Sequence, residues 1–464
     1  MVKLNVVQAL LATALAALVG RTHADRWAIL VCGSRGYFNY RHHADVCHAY
    51  HSLRERGIPD DHIITMMYDD VADSRMNPFP GQLFNRPNDQ DSAQAIDVYK
   101  DCKKDYTKYQ VTPTMFLNVI EGNEDETEGG PVLKSTAEDD VFINFVDHGA
   151  PNLVAFPRGE LHARQLMRSI QRMHDKKMFR NLVFYMEACE SGSMFRKLPT
   201  HLNVWAVTAA NAHESSFATY CPPAGDLVNG KHLHTCLGDE FSVHWMEDTD
   251  AERPGQDETL EEQFARVQNA TTKSHVLDFG DLATMSKDAI DEFLGAPASD
   301  GSSVRELPRI SAAARDSQVD SRDVALVSKF FMYASEPTQE NAVQLQAEVE
   351  HRRAVDATFA QLAAELLDDP RHIDAVLTAR GEESPQEYEC HRAANSAYKN
   401  ACTEDGAWSD YSIKYSATLE ALCERFAGRG PYKVVEAIRR VCAVGAQTAG
   451  TSSAFAVPSL AVVE

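Results

Sequence analysis

The chain has no excess of basic residues. Forty-five lysines and arginines stand against 68 acids, a net charge of −23 over 464 residues. Nucleic acid and anionic membrane surfaces are bound through dense cationic patches, so neither is expected as the main partner. Beyond its N-terminal stretch the chain lacks 18 consecutive apolar residues, so no membrane anchor is expected in the mature protein. Ten cysteines are too few for a small disulfide scaffold, though enough for a few bridges. There is no collagen period and no obvious short repeat. Gly33-x-x-Gly36 lacks the third glycine and downstream acid of a dinucleotide fingerprint, and Thr127-Glu128-Gly129-Gly130 has the wrong spacing for a phosphate loop. No cysteine or carboxylate is spaced as in a zinc pattern. His48-x-x-His51 could share one helix face, but with His42 and His43 these read as surface or loop histidines. No cofactor and no metal is implied.

What is present is an ordinary globular composition, 44% hydrophobic and 24% charged, long enough for two or three domains. Met1-Val2-Lys3, an apolar run from Leu4 to Val19 and the small residue Ala24 read as a secretory leader over 1–24, followed by soluble sequence from Asp25. Secretory entry permits disulfides and makes Asn269-Ala270-Thr271 a usable glycosylation sequon. Apolar runs at Trp27–Cys32, Ile63–Tyr68, Val141–Val146, Leu182–Met186 and Asn203–Thr208 read as strands. They alternate with helical patterns at Arg41–Arg56 and Leu161–Met173. That order predicts an α/β domain over 25–294, with a mostly parallel sheet covered on both faces. Gly295–Asp323 is rich in Ser, Ala, Asp and Pro and reads as an exposed linker. From 324 to 464 the pattern is all-helical. Its longest helix runs to Leu366 before Asp369-Pro370, and it holds Cys390, Cys402, Cys423 and Cys442, for which three pairings are open.

Two polar clusters follow strands directly: Asp147-His148-Gly149 and Glu187-Ala188-Cys189-Glu190-Ser191-Gly192. Sites in open parallel sheets form beyond the carboxyl ends of strands. A Cys and a His on neighbouring strand ends can form a nucleophile and base, the imidazole generating the thiolate. Gly149 allows close backbone approach, so its N–H and that of Cys189 could form an oxyanion hole.

These motifs resemble the legumain family of asparaginyl endopeptidases, cysteine peptidases with a caspase-like fold. The resemblance runs through Tyr40-Arg41-His42-x-Ala44-Asp45, Met66-Met67-Tyr68-Asp69-Asp70, Asn85-Arg86-Pro87, Asp147-His148-Gly149, Glu187 to Met194, Glu214-Ser215-Ser216 and Trp245-Met246-Glu247-Asp248. It implies that Cys189 is the nucleophile, His148 the base and Asn39 its orienting partner. It implies a pocket of Arg41, His42, Glu187, Ser215 and Asp239 for the residue before the cut. Arg41 would donate to an asparagine amide oxygen, while Glu187 and Asp239 accept from its NH₂. Aspartate, an anion above its free pKa of about 3.9, would be cut only in acid. The resemblance further implies an inhibitory C-terminal prodomain, disulfides Cys221–Cys236, Cys390–Cys423 and Cys402–Cys442, and the ability of Asp147 to cyclise to a succinimide. Protein and peptide substrates with exposed Asn, and a lysosomal, vacuolar or extracellular destination, follow from it.

The sequence departs from the family in its linker. No Asn lies in 295–323, so self-cutting would have to use Asp316, Asp320, Asp323 or the more distant Asn341. The tail from 324 carries 13 basic and 20 acidic residues, so both modules are acidic. Net charge cannot hold them together; specific contacts must, with carboxylates protonating and weakening in acid. A transpeptidase using the same Cys and His, or a non-catalytic binding protein on the same scaffold, are the alternative functions.

Overall fold

The computed structural model describes residues 24–88, 94–305, 307–381, 387–428 and 431–449. The expected leader, apart from Ala24, lies outside the described residues. The apolar face of each early run becomes a strand: β1 (Arg26–Cys32), β2 (Ile63–Met67), β3 (Asp140–Val146), β4 (Asn181–Glu187), β5 (Val204–Thr208) and β6 (Leu277–Gly280). They form one sheet in the order β6-β5-β4-β3-β1-β2, parallel except for β6. The sequence pattern did not single out β6, whose Leu277-Asp278-Phe279-Gly280 is short and interrupted by a charge.

Helices cover both faces, so the strands are apolar on both sides and read as continuous runs rather than alternations. Ala28 and Leu30 of β1 pack with Tyr40, Val46 and Leu53 of α1 (Tyr40–Glu55), while Ile29 and Val31 pack in the opposite layer with Leu166 and Ile170 of α2 (Ala163–Asp175). Helix α3 (Glu240–Ala251) joins the first layer through Phe241, Trp245 and Met246.

The tail is a helical module built on α4 (Val324–Ser335), α5 (Gln339–Leu366), α6 (Tyr388–Cys402), α7 (Ser416–Arg425) and α8 (Tyr432–Ala449). Helix α5 starts where the Thr338 side chain accepts the N–H of Asn341, and it stops before Asp369-Pro370. Phe359, Leu362, Leu419, Leu422 and Ile438 form a separate core. It is pinned by Cys390–Cys423 and Cys402–Cys442, while Cys221–Cys236 closes a loop of the first module. A fourth bridge, Cys47–Cys102, ties α1 to the long loop after β2. Among the described residues no helix is long and apolar enough to cross a membrane.

Candidate active site

Strand register sets three loops side by side. Cys32 pairs with Val146, and Val146 with Glu187. The ladder then continues for one step, Gly33 N–H to Val146 O and Asp147 N–H to Glu187 O, both at 3.0 Å. His148 and Cys189 therefore leave the sheet at adjacent carboxyl ends. A Cβ on Gly149 would meet the Cys189 carbonyl oxygen at 2.2 Å, so any side chain there would force the two loops apart. Glu190 sits at φ 50°, a left-handed conformation that costs a non-glycine residue about 1–2 kcal/mol. The Cys189 side chain is buried; Sγ accepts the Ser216 N–H at 3.3 Å and lies 3.8 Å from Ser216 Oγ. Burial pushes the thiol up to about 12, against the opposing charge of Arg322, so in this closed form it stays protonated.

His148 Nε2 faces two acceptors, Asn39 Oδ1 at 2.8 Å and Asp410 Oδ1 at 3.2 Å. It must carry a proton, which leaves Nδ1 as the basic nitrogen in the neutral ring. Nδ1 has no hydrogen-bond partner among the described residues. Asn39 is itself held by donating to the Arg35 carbonyl at 2.9 Å.

The first turn of α1 supplies Arg41 and His42, both fully buried. Arg41 Nε donates to Asp239 Oδ1 at 2.8 Å, and Nη1 to the Phe38 carbonyl at 2.9 Å. His42 Nδ1 bonds Ser34 Oγ at 2.7 Å, and its Nε2 lies 3.4 Å from Asp239 Oδ2. Glu187 Oε2 accepts both the N–H and O–H of Ser242 at 3.0 Å. In this pocket Arg41 Nη2, Glu187 Oε1 and Asp239 Oδ2 are buried polar atoms that form no hydrogen bond among the described residues. Burial and the Asp239 charge push the Glu187 carboxyl well above its ordinary range, and burial with the Arg41 charge holds His42 well below its own.

His42, Asp147 and His148 bring ligand atoms within 4.8 Å of one another, the one His/carboxylate cluster among the described residues that could hold a metal. Asp147 Oδ1 already accepts the His148 N–H at 2.6 Å, and burial raises this carboxyl to about 7. The other histidines correct the sequence reading. His42, His43 and His48 are buried because α1 is enclosed between the sheet and later loops. His48 bonds Asn85 and Asp250, while His51 bonds the Val98 carbonyl, so the two present no shared ligand face.

Residues 26–296 match the Peptidase C13 family, and residues 343–442 match the legumain prodomain. The chain belongs to the peptidase C13 family. It is 37% identical over 437 residues to the vacuolar-processing enzyme delta-isozyme of Arabidopsis thaliana, covering 90% of each chain. It is 37% identical over 406 residues to legumain of Bos taurus (86% of this chain, 89% of that one). With hemoglobinase of Schistosoma mansoni the identity is 46% over 296 residues, 63% of this chain and 65% of that one. Among solved structures, caspase-1 from Spodoptera frugiperda overlays 60% of the chain and 92% of its own at 10% identity and a TM-score of 0.33, a level that decides nothing here.

In this C13 peptidase the segment before the prodomain is not exposed throughout. Val319 and Asp320 pair antiparallel with Ala218 and Phe217, and the Ser321 N–H continues the ladder to the Ser216 carbonyl at 3.1 Å. The edge of the Phe217–Thr219 strand takes the strap as an added strand, burying Ser321 and Arg322. Arg322 Nη2 donates to Glu190 Oε2 at 2.6 Å and to the Gly149 carbonyl at 3.1 Å; Nη1 donates to Ser215 Oγ at 3.3 Å. The chain then turns, Asp323 N–H bonding the Asp320 carbonyl at 2.8 Å, and enters α4. The prodomain contributes Asp410 over His148, with Lys399 on Glu160 and Asp405 on Arg35. Burial alone would raise Asp410, but the charge and hydrogen bond of His148, then Arg41 and Asn39, hold it well below the usual carboxylate range.

The structure thus brings Cys189, His148, Asn39, Gly149, Arg41, His42, Glu187, Ser215 and Asp239 to one end of the sheet. Sequence reasoning assigned no role to Glu190, Ser216, Arg322 or Asp410. The first two had a signal, adjacency to Cys189 and to Ser215. The last two had none, because Arg322 lies 132 residues from Glu190 in the chain and Asp410 reaches His148 from the distant prodomain.

Proposed function

We propose that this C13 peptidase is a cysteine endopeptidase that cuts after asparagine and is held inactive by its strap and prodomain. The observation that carries the reading is the set of unpartnered buried atoms beside the Cys/His pair. Arg41 Nη2 donates and Asp239 Oδ2 accepts, the pattern that an asparagine side-chain amide completes. Glu187, its carboxyl pushed well above the ordinary range by burial and the Asp239 charge, gains the capacity to donate as well as accept toward that amide, which differs from a purely accepting role. A pocket of unmet buried groups rejects side chains that cannot pair with them. An aspartate anion would meet the Asp239 charge; protonated aspartic acid would not.

In the reaction Cys189 Sγ attacks the carbonyl carbon of the Asn residue while His148 Nδ1 takes the thiol proton, and the bond to the next residue's nitrogen breaks. His148 returns it to the departing amine, and water then releases the acyl group from sulfur. Asn39 keeps the ring in the tautomer that makes Nδ1 the base. The closed form suppresses this chemistry by desolvating the thiol and filling the cleft. In the closed form Ser321, rather than Asn or Asp, stands at the strap position opposite Ser216. Self-cutting at Asp316, Asp320, Asp323 or Asn341 therefore requires the strap to move. The leader, the linker at 295–323 and delivery to a lysosome, vacuole or the exterior belong to the same reading. The test is kcat/KM on otherwise identical peptides with Asn, Gln, Asp or Ala before the bond, at pH 5 and pH 7. Asn is expected to lead at both, with Asp rising only at pH 5; equal cutting of Asn and Ala sinks the reading.

A further inference from the structure

The strap follows the cleft in one direction: Val319 opposite Ala218, Asp320 opposite Phe217, then Ser321 bonded to Ser216. Ser216 also touches Cys189 through its N–H, and its Oγ lies 3.3 Å from Ser321 Oγ. Ser321 therefore stands where the residue before a cut bond would stand, and Arg322 follows it past the nucleophile. The Arg322 guanidinium is clamped by the residue after Cys189, the residue after His148 and Ser215: a carboxylate, a carbonyl and a hydroxyl, all able to accept. No part of that socket comes from the prodomain, so it stays with the peptidase when the strap leaves. Glu190 is held there in a left-handed turn, which aims its carboxylate independently of Arg322. The short Ser321 side chain leaves Arg41 Nη2, Glu187 Oε1 and Asp239 Oδ2 unmatched, and the turn at Asp320–Asp323 bends the following bond away from an extended course. The strap thus occupies the cleft as an uncut substrate.

We propose that Glu190, with the Gly149 carbonyl and Ser215, selects an arginine or lysine immediately after the cut bond, so that the preferred substrates are Asn followed by a basic residue. This rests on the asparaginyl reading above and adds a second determinant to it. A charge-assisted pair in a largely buried socket is worth about a tenfold preference in kcat/KM. The test uses the full-length protein at a pH where it cuts an Asn-Ala peptide. The peptides share one sequence with Arg, Ala or Glu at the first position after Asn, and a second set varies the position beyond. The expected order is Arg, then Ala, then Glu, with the Arg/Ala ratio falling to near one in Glu190→Gln. That ratio is internal to each protein, so a general loss of activity does not move it. Equal rates for Arg and Ala, a ratio unchanged in Glu190→Gln, or a preference confined to the second position overturns the proposal. If no Asn peptide is cut at all, the asparaginyl reading falls and this one with it.

Discussion

The acid sensitivity of the closed form should reside in a histidine rather than in the carboxylate over the active site. His391 on α6 is fully buried, with Nε2 donating to the Ser416 carbonyl at 3.1 Å and lying 2.8 Å from Ser416 Oγ. Its ring centroid stands 5.8 Å from that of His162 on the peptidase side, and Glu420 Oε2 lies 3.6 Å from Nδ1. Burial lowers His391 from an ordinary 6.5 to about 4, against the Ser416 bond and the charges of Glu160 and Glu424. His162 is likewise held well below its ordinary range by burial and the charges of His391, Lys399 and Arg392. A group with a lowered pKa in the closed form stabilises that form above 6.5, and the stabilisation fades as pH falls toward 4. If opening returns His391 to water, linkage makes its contribution about 3 kcal/mol, a few hundredfold in the closing equilibrium. Asp410 cannot supply this, because its carboxyl is already held low and stays ionised through the same range. The expectation that protonating carboxylates loosen the tail therefore does not extend to Asp410. The perturbation is His391→Gln, whose amide can keep the donation to Ser416 without titrating. In a Cys189→Ala background, hydrogen exchange at 319–323 should report opening without cleavage. The variant should open at lower pH than its parent and with a shallower pH dependence. Identical midpoint and steepness, with the prodomain folded, would refute the linkage argument.

Other consequences follow from the same contacts. Arg322→Ala leaves Glu190 buried without its cation and should weaken closure by about 3–5 kcal/mol; thiol-directed labelling of Cys189 at pH 7 should quicken, and labelling as slow as in the parent would contradict this. Gly149→Ala should abolish Asn cleavage while leaving the far-ultraviolet spectrum intact, since a Cβ would displace the Cys189 carbonyl by more than the loops can absorb; retained activity would show the approach to be looser than it is here. Replacing Cys47 and Cys102 by serine opens a link across 55 residues and should cost about 4 kcal/mol, read as a lowered melting temperature of the peptidase; an unchanged melting temperature would contradict it.

The parallel sheet was legible because β1, β3 and β4 are buried on both faces, and each ends abruptly in a polar cluster. His148 and Cys189 could be placed at neighbouring strand ends from that pattern alone. Their pocket partners could not, since Arg41 and Asp239 meet across 198 residues of sequence, and only resemblance named them. The buried histidines of α1 misled for a related reason: polar residues read as surface until their partners Asn85, Asp250 and Ser34 are in view. The strap read as exposed because its composition is polar, whereas backbone pairing, which ignores side-chain polarity, buries it. Cys47–Cys102 had no sequence signature beyond an even cysteine count.

The most direct test compares the purified protein with Cys189→Ala at pH 4.5, an Asn-containing peptide added to each, by mass spectrometry of both chain and peptide. The account predicts that the parent sheds its prodomain and cuts the peptide after Asn while the variant does neither. Cleavage of the Asn peptide by Cys189→Ala at the parental rate, or an intact peptide with a parent already freed of its prodomain, would contradict it.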